Sequence, residues 1–260
     1  MNEVIEVSEM IEGFRCYTLP SEVNLFDELS SSVRFERVAK GRRGTVLVQP
    51  DTARGVPIVR TTTMYNAPAH AFLPLHLRLA QQIRELASLP VAFNNALIER
   101  YTNTYTKMGY HSDQAQDLEG GSSIAILSCY RDPERASPPR TLFVRSKEPE
   151  AKPVEIPMTH HSVVVFSVDT NRSFKHKIVL ARTKQPPDNE WLGVTFRTSH
   201  TFVNYRDDGA YLESGNPLTL ANEEQRTEFF KLRGRENREM NFDYPRLSYT
   251  ISKSDRMQPQ

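Results

Sequence analysis

His111-Ser112-Asp113 sets an imidazole and a carboxylate two residues apart. In extended backbone, residues i and i+2 project to the same side, so both groups can reach one metal ion. A non-haem Fe(II) site needs two histidines and one carboxylate on one face, with the opposite positions open for cosubstrate and oxygen. The second histidine must come from a distant strand. His176, in Phe174-Lys-His-Lys-Ile178, stands near the start of one. Arg197, in Trp191-Leu-Gly-Val-Thr-Phe-Arg197, alternates with apolar neighbours. A buried arginine takes a carboxylate or phosphate partner, and the distal carboxylate of a 2-oxo acid fits that need. A His-x-Asp pair alone is a weak signal, read equally as a polar couple at a strand end. The ordered set, His-x-Asp, then a later His, then Arg, is stronger.

These residues need a scaffold of strands. Alternating or β-branched runs predict strands at 33–38, 45–49, 56–65, 93–101, 123–129, 140–146, 162–168, 177–180 and 192–203. Lys40-Gly-Arg-Arg-Gly44, Glu119-Gly-Gly121, Ser137-Pro-Pro139, Asp169-Thr-Asn171 and Gln185-Pro-Pro-Asp188 read as turns. Ser21 suits an N-cap for a short helix through Leu29. Residues 74–88 predict the clearest helix, with Pro74 in its first turn and Leu75, Leu79, Ile83 and Leu86 on one face. Residues 219–238 predict a charged helix, and 244–251 an extended piece. The fold class expected is α+β, mainly β: a jelly-roll (double-stranded β-helix) core braced by N-terminal helices, with a C-terminal helical extension.

Composition narrows the class. The 260 residues carry 33 Lys+Arg against 32 Asp+Glu, a formal net charge of +1, which argues against holding phosphates by bulk charge while leaving room for a local basic patch. Cys16 and Cys129 are too few for a disulfide framework or a cysteine zinc site. The acidic start MNEVIEVSEMIEGF has no apolar h-region, and no apolar run approaches a membrane span. The expectation is a soluble intracellular protein of cytoplasm or nucleus.

The segment Phe93-Asn-Asn-Ala-Leu-Ile-Glu-Arg-Tyr101, followed by His111-Ser-Asp113, then RTLFVRS, MTHHSVVVF, TNRSFKHKI and a Thr-Phe-Arg strand, resembles in order and spacing the AlkB-like branch of the Fe(II)- and 2-oxoglutarate-dependent dioxygenases over about 58 to 205. The resemblance implies that His111, Asp113 and His176 bind Fe(II). It implies that Tyr101 hydrogen-bonds 2-oxoglutarate with Asn94 on the same strand, and that Arg197 pairs with a 2-oxoglutarate carboxylate. It implies residues 1–205 as the dioxygenase domain, with 91–205 as its core, 30–75 as a candidate substrate lid and 206–260 as an extension packed on it. The chain departs from the pattern at Glu99, where the family has Asn. It also keeps one of two arginines six residues apart. Either Trp191 holds the first of those positions, or Arg197 is the first and Val203 the second; the latter register keeps the distal salt bridge and is preferred.

The resemblance further implies O2 and 2-oxoglutarate as co-reactants, succinate and CO2 as products, and oxidation, by demethylation, of a flipped DNA or RNA base. Tyr65 would stack on the base, Met64 form an apolar wall beside Thr63, and Lys40, Arg42 and Arg43 meet phosphates. Alternatives are a 2-oxoglutarate-dependent hydroxylase of a protein side chain or small molecule, and an inactive jelly-roll binding module.

Overall fold

The structure is a computed structural model describing residues 13–181, 188–206 and 209–260. Residues 1–12 and most of the turn predicted at 185–188 lie outside the described residues. In chain order the elements are β1 (Phe14–Thr18), α1 (Leu25–Ser31), β2 (Glu36–Ala39), β3 (Arg42–Val48), β4 (Val56–Pro57), β5 (His70–Ala71), α2 (Pro74–Leu86), β6 (Asn95–Tyr101), β7 (Ser123–Tyr130), β8 (Arg140–Ser146), β9 (Val154–Met158), β10 (Ser162–Ser167), α3 (Val168–Ser173), β11 (Phe174–Val179), β12 (Trp191–Arg197), β13 (Phe202–Arg206), β14 (Gly209–Leu212), β15 (Thr219–Leu220), α4 (Glu223–Glu236) and β16 (Tyr249–Thr250).

Strand β7 shows why the chain folds in layers. Its Ile124, Ile126 and Tyr130 pack into one core, while Ala125, Leu127 and Cys129 pack into another. A strand buried on both faces reads as a continuous apolar run. The first sheet runs β1-β10-β7-β12-β6-β3-β2, with β5 beside β3; the second runs β11-β8-β9. Between them lie Tyr101, Leu142, Val144, Met158, Phe166 and Trp191. Helices α1 and α2 cover the outer face of the first sheet with Leu25, Phe26, Leu29, Leu79 and Ile83. The result is a jelly roll braced by N-terminal helices. Helix α4 builds a separate small core with Phe242, Leu247, Tyr249 and Ile251.

Several elements differ from their sequence reading. Asn24, not Ser21, caps α1: its side chain accepts from the Phe26 N–H, while the Ser21 hydroxyl turns to the Val23 carbonyl. Of the strand predicted over 56–65, only Val56–Pro57 pairs. Val168 leaves its predicted strand because the Ser167 hydroxyl caps α3 there. The run 192–203 is two strands. The Ser199 hydroxyl binds the Ile58 and Asp117 carbonyls at the bend, and Phe202–Arg206 joins β14 and β4 instead. The strand β1, which the sequence reading lacks, pairs with β10 at the sheet edge. Strand β3 belongs to the first sheet with Val46, Leu47 and Val48 buried. Cys16 and Cys129 are both free thiols. Among the described residues no helix is long and apolar enough to cross a membrane.

Candidate metal and cosubstrate site

His111 and His176 face each other as an antiparallel pair, exchanging backbone hydrogen bonds of 3.0 and 2.7 Å. Their ring centroids are 4.6 Å apart. Asp113 completes the group: one ligand atom from each of His111, Asp113 and His176 lies within 4.8 Å of the others. The His111 Nδ1 lies 3.0 Å from the Gly109 carbonyl. A proton there leaves Nε2 as the free lone pair. Desolvation, then neighbouring His176, hold the His111 pKa down at about 3, so its imidazole is neutral. Burial pushes the Asp113 carboxyl up, but His176, Arg197 and His111 together hold it well below the usual range. A neutral imidazole and an ionised carboxylate are the forms that bind a divalent metal.

Helices hold the loop carrying Ser112 and Asp113 from both sides. The Asn171 amide of α3 clasps the Asp113 backbone, its oxygen accepting from the N–H and its nitrogen donating to the carbonyl, each at 2.7 Å. From the end of α4, Arg233 donates to the Ser112 carbonyl, Asn237 accepts from the Ser112 N–H at 3.0 Å, and Glu236 accepts from the Ala115 N–H at 2.8 Å. The triad opens on a cavity of about 520 Å³ lined by Tyr101, Tyr105, Met108, Tyr110, Ile126, Ile178 and Arg197. Arg197 is buried, its Nη1 3.9 Å from Asp113 and its Nη2 3.2 Å from the Asn95 amide oxygen.

The model of the 2OG-Fe(II) oxygenase superfamily matches residues 45–206. The chain belongs to that superfamily. Among curated proteins none matches its sequence. A solved structure titled "The structure of OsALKBH1" aligns at a TM-score of 0.47 and 14% identity, covering 72% of this chain and 98% of that chain.

The oxygenase is therefore a dioxygenase that uses Fe(II) and 2-oxoglutarate, and the residues present fit both. His111, Asp113 and His176 could hold the iron. The Arg197 Nε is a buried donor with no partner, an arrangement that costs free energy unless an anion receives it.

The register preferred from sequence does not survive the fold. Val203 lies on β13, in another sheet, because the chain bends after Arg197. Trp191 and Arg197 are the pair six apart on one strand, and Arg197 stands beside Asp113. Asn94 is committed to Ser199, donating to its carbonyl and accepting from its N–H, so it is not a cosubstrate contact; the buried neighbour Asn95 meets Arg197 instead. The Tyr101 ring lines the cavity, but its hydroxyl donates to Glu99 at 2.7 Å, so its proton is not offered to 2-oxoglutarate.

The substrate residues also move. Tyr65 is buried among Val46, Val48 and Val56 with its hydroxyl on Glu99, so it offers no face to a base. Arg42 is held by Glu99 rather than free for phosphate. Met64 is 47% exposed and is not part of the cavity lining, whereas Thr63 lines it. Arg43 is exposed on β3. The rings of Tyr105 and Tyr110 also line the cavity. Sequence reasoning missed the contacts that Asn171 and the α4 residues make with the loop carrying Asp113.

Proposed function

We propose that His111, Asp113 and His176 hold Fe(II), that Arg197 receives a carboxylate of 2-oxoglutarate, and that the substrate is a modified base of DNA or RNA, oxidised with loss of its alkyl group. With iron and 2-oxoglutarate bound, such a site supplies hydroxylation of a C–H bond coupled to decarboxylation to succinate and CO2. The chain's residues do the rest. Gly109 and Asn171 fix the orientation of the first two ligands. Arg197 places a positive charge beside Asp113, and Ile126, Ile178 and Met108 supply apolar cavity wall.

The observation that carries the nucleic-acid reading is a row of arginines. Arg37, Arg43 and Arg100 are direct cross-strand partners on β2, β3 and β6. Like charges placed opposite each other destabilise a sheet. Among the described residues one carboxylate, Glu190, pairs with them, 3.5 Å from Arg100. These arginines line a groove that shares Arg42 with the triad cavity. A polyanion passing the mouth of the site relieves that repulsion, and the rings of Tyr105 and Tyr110 stand where a base would enter.

The test is succinate formation from 2-oxoglutarate by the Fe(II)-loaded protein with methylated DNA and RNA oligonucleotides, with His111→Ala as control. Stimulation by one oligonucleotide, lost with His111→Ala and weakened by salt, supports the reading. Basal succinate that no oligonucleotide changes overturns the nucleic-acid substrate while keeping the enzyme.

A further inference from the structure

2-Oxoglutarate is a dianion with a carboxylate at each end. Arg197 stands at the metal end of the site, 3.9 Å from Asp113, so a second cation is needed deeper in the fold. Among the described residues the other buried arginines already have acids: Arg60 has Asp117 and Arg233 has Glu236. The half-buried Arg42 has Glu99. Arg140 has none. It is 1% exposed, and its Nη1 and Nη2 donate to the Tyr105 and Thr102 carbonyls at 2.8 and 3.0 Å. Burying a guanidinium without a counter-charge is strongly unfavourable, so its place in the fold calls for an anion.

The surroundings indicate which anion. Arg140 shares the inward face of β8 with Leu142 and Val144, which belong to the core between the sheets. Its Cζ lies 5.3 Å from the Tyr101 ring and 5.9 Å from that of Trp191. Tyr101 lines the triad cavity, so Arg140 stands behind that ring, at the end away from Arg197. Trp191 begins the strand that Arg197 ends. Its indole donates to Ser128 and folds over Gly193, where a Cβ would come within 2.2 Å of the ring. The side chain at 191 is thus an uncharged filler, and the guanidinium beside it comes from β8 in the second sheet.

We propose that Arg140 is the positioning residue for the distal carboxylate of 2-oxoglutarate. This rests on the cosubstrate site proposed above. Trp191, the chain's one tryptophan, reports on it directly.

The experiment titrates the Mn(II)-loaded full chain with 2-oxoglutarate and with pyruvate, which has the same 2-oxo acid head and no distal carboxylate. Binding is read by calorimetry and by Trp191 emission. In the native protein, 2-oxoglutarate is expected to bind more tightly and to change the emission, while pyruvate leaves it unchanged. Arg140→Gln should weaken 2-oxoglutarate by at least about 30-fold, with pyruvate unchanged within about twofold, and Arg140→Lys should recover part of the loss. Equal weakening of both acids would assign Arg140 a merely structural role, and unchanged 2-oxoglutarate affinity would remove it from the site; either overturns the proposal. If Arg140→Gln does not fold, the native titration decides: equal affinity for the two acids, or emission unmoved by 2-oxoglutarate, overturns it. Binding of neither acid would overturn the cosubstrate site, and this proposal with it.

Discussion

Arg42 donates to Glu99 through both Nε and Nη2, and the hydroxyls of Tyr65 and Tyr101 donate to the same carboxylate. An acid beside an anionic cosubstrate is thereby neutralised by an arginine from the adjacent strand, where Arg42 is the cross-strand partner of Tyr101. Arg42→Gln uncovers that charge and should weaken 2-oxoglutarate binding about tenfold, and Arg42→Gln/Glu99→Gln should recover most of it. A calorimetric titration of the two variants checks this; equal affinities in both would show that Glu99 is not felt by the cosubstrate.

Helix α4 holds the loop that carries Asp113. Asn237→Ala removes the acceptor for the Ser112 N–H, and Glu236→Ala the acceptor for the Ala115 N–H. Outer contacts of this kind are worth about 10–100-fold in metal affinity. Each variant should lose Mn(II) affinity in that range at unchanged far-UV circular dichroism. Native affinity would confine α4 to a packing role.

Arg60 joins three distant segments. It binds both Asp117 carboxylate oxygens and donates to the Leu247 and Tyr249 carbonyls. Removing one partner of a buried pair costs about 3–5 kcal/mol. Arg60→Met should therefore lower Tm by roughly 10 °C, measured calorimetrically, and a fall under roughly 2 °C would contradict it.

Burial raises the Asp255 carboxyl to about 7, against the hydrogen bond from Thr250 and the charge of Arg60. In the unfolded chain an aspartate titrates near 4. The native state therefore holds a proton that the unfolded state has released between about pH 4 and pH 7. The stabilisation is complete below the lower value and lost as pH rises through the upper one. Asp255→Asn, uncharged throughout, should be more stable than the native chain at pH 8 and similar at pH 4. Urea unfolding at both values tests the sign; an equal difference at both would refute the linkage.

What sequence determined by itself was periodicity and order. His-x-Asp, the later His, the buried alternation around Arg197 and the apolar face of the helix starting at Pro74 are local patterns, and local patterns report which side a residue faces. Which residues meet is a different matter, set by strand pairing between positions far apart in the chain. That pairing placed Glu99 against Arg42 and turned Tyr65 into the core. It also ended the Arg197 strand at the Ser199 bend and stood Arg140 beside Trp191. Asn171 and the residues of α4 reach the loop carrying Asp113 across 58 and more than 120 positions. No window of sequence contains both partners of such contacts, so their roles appear only once the chain is folded.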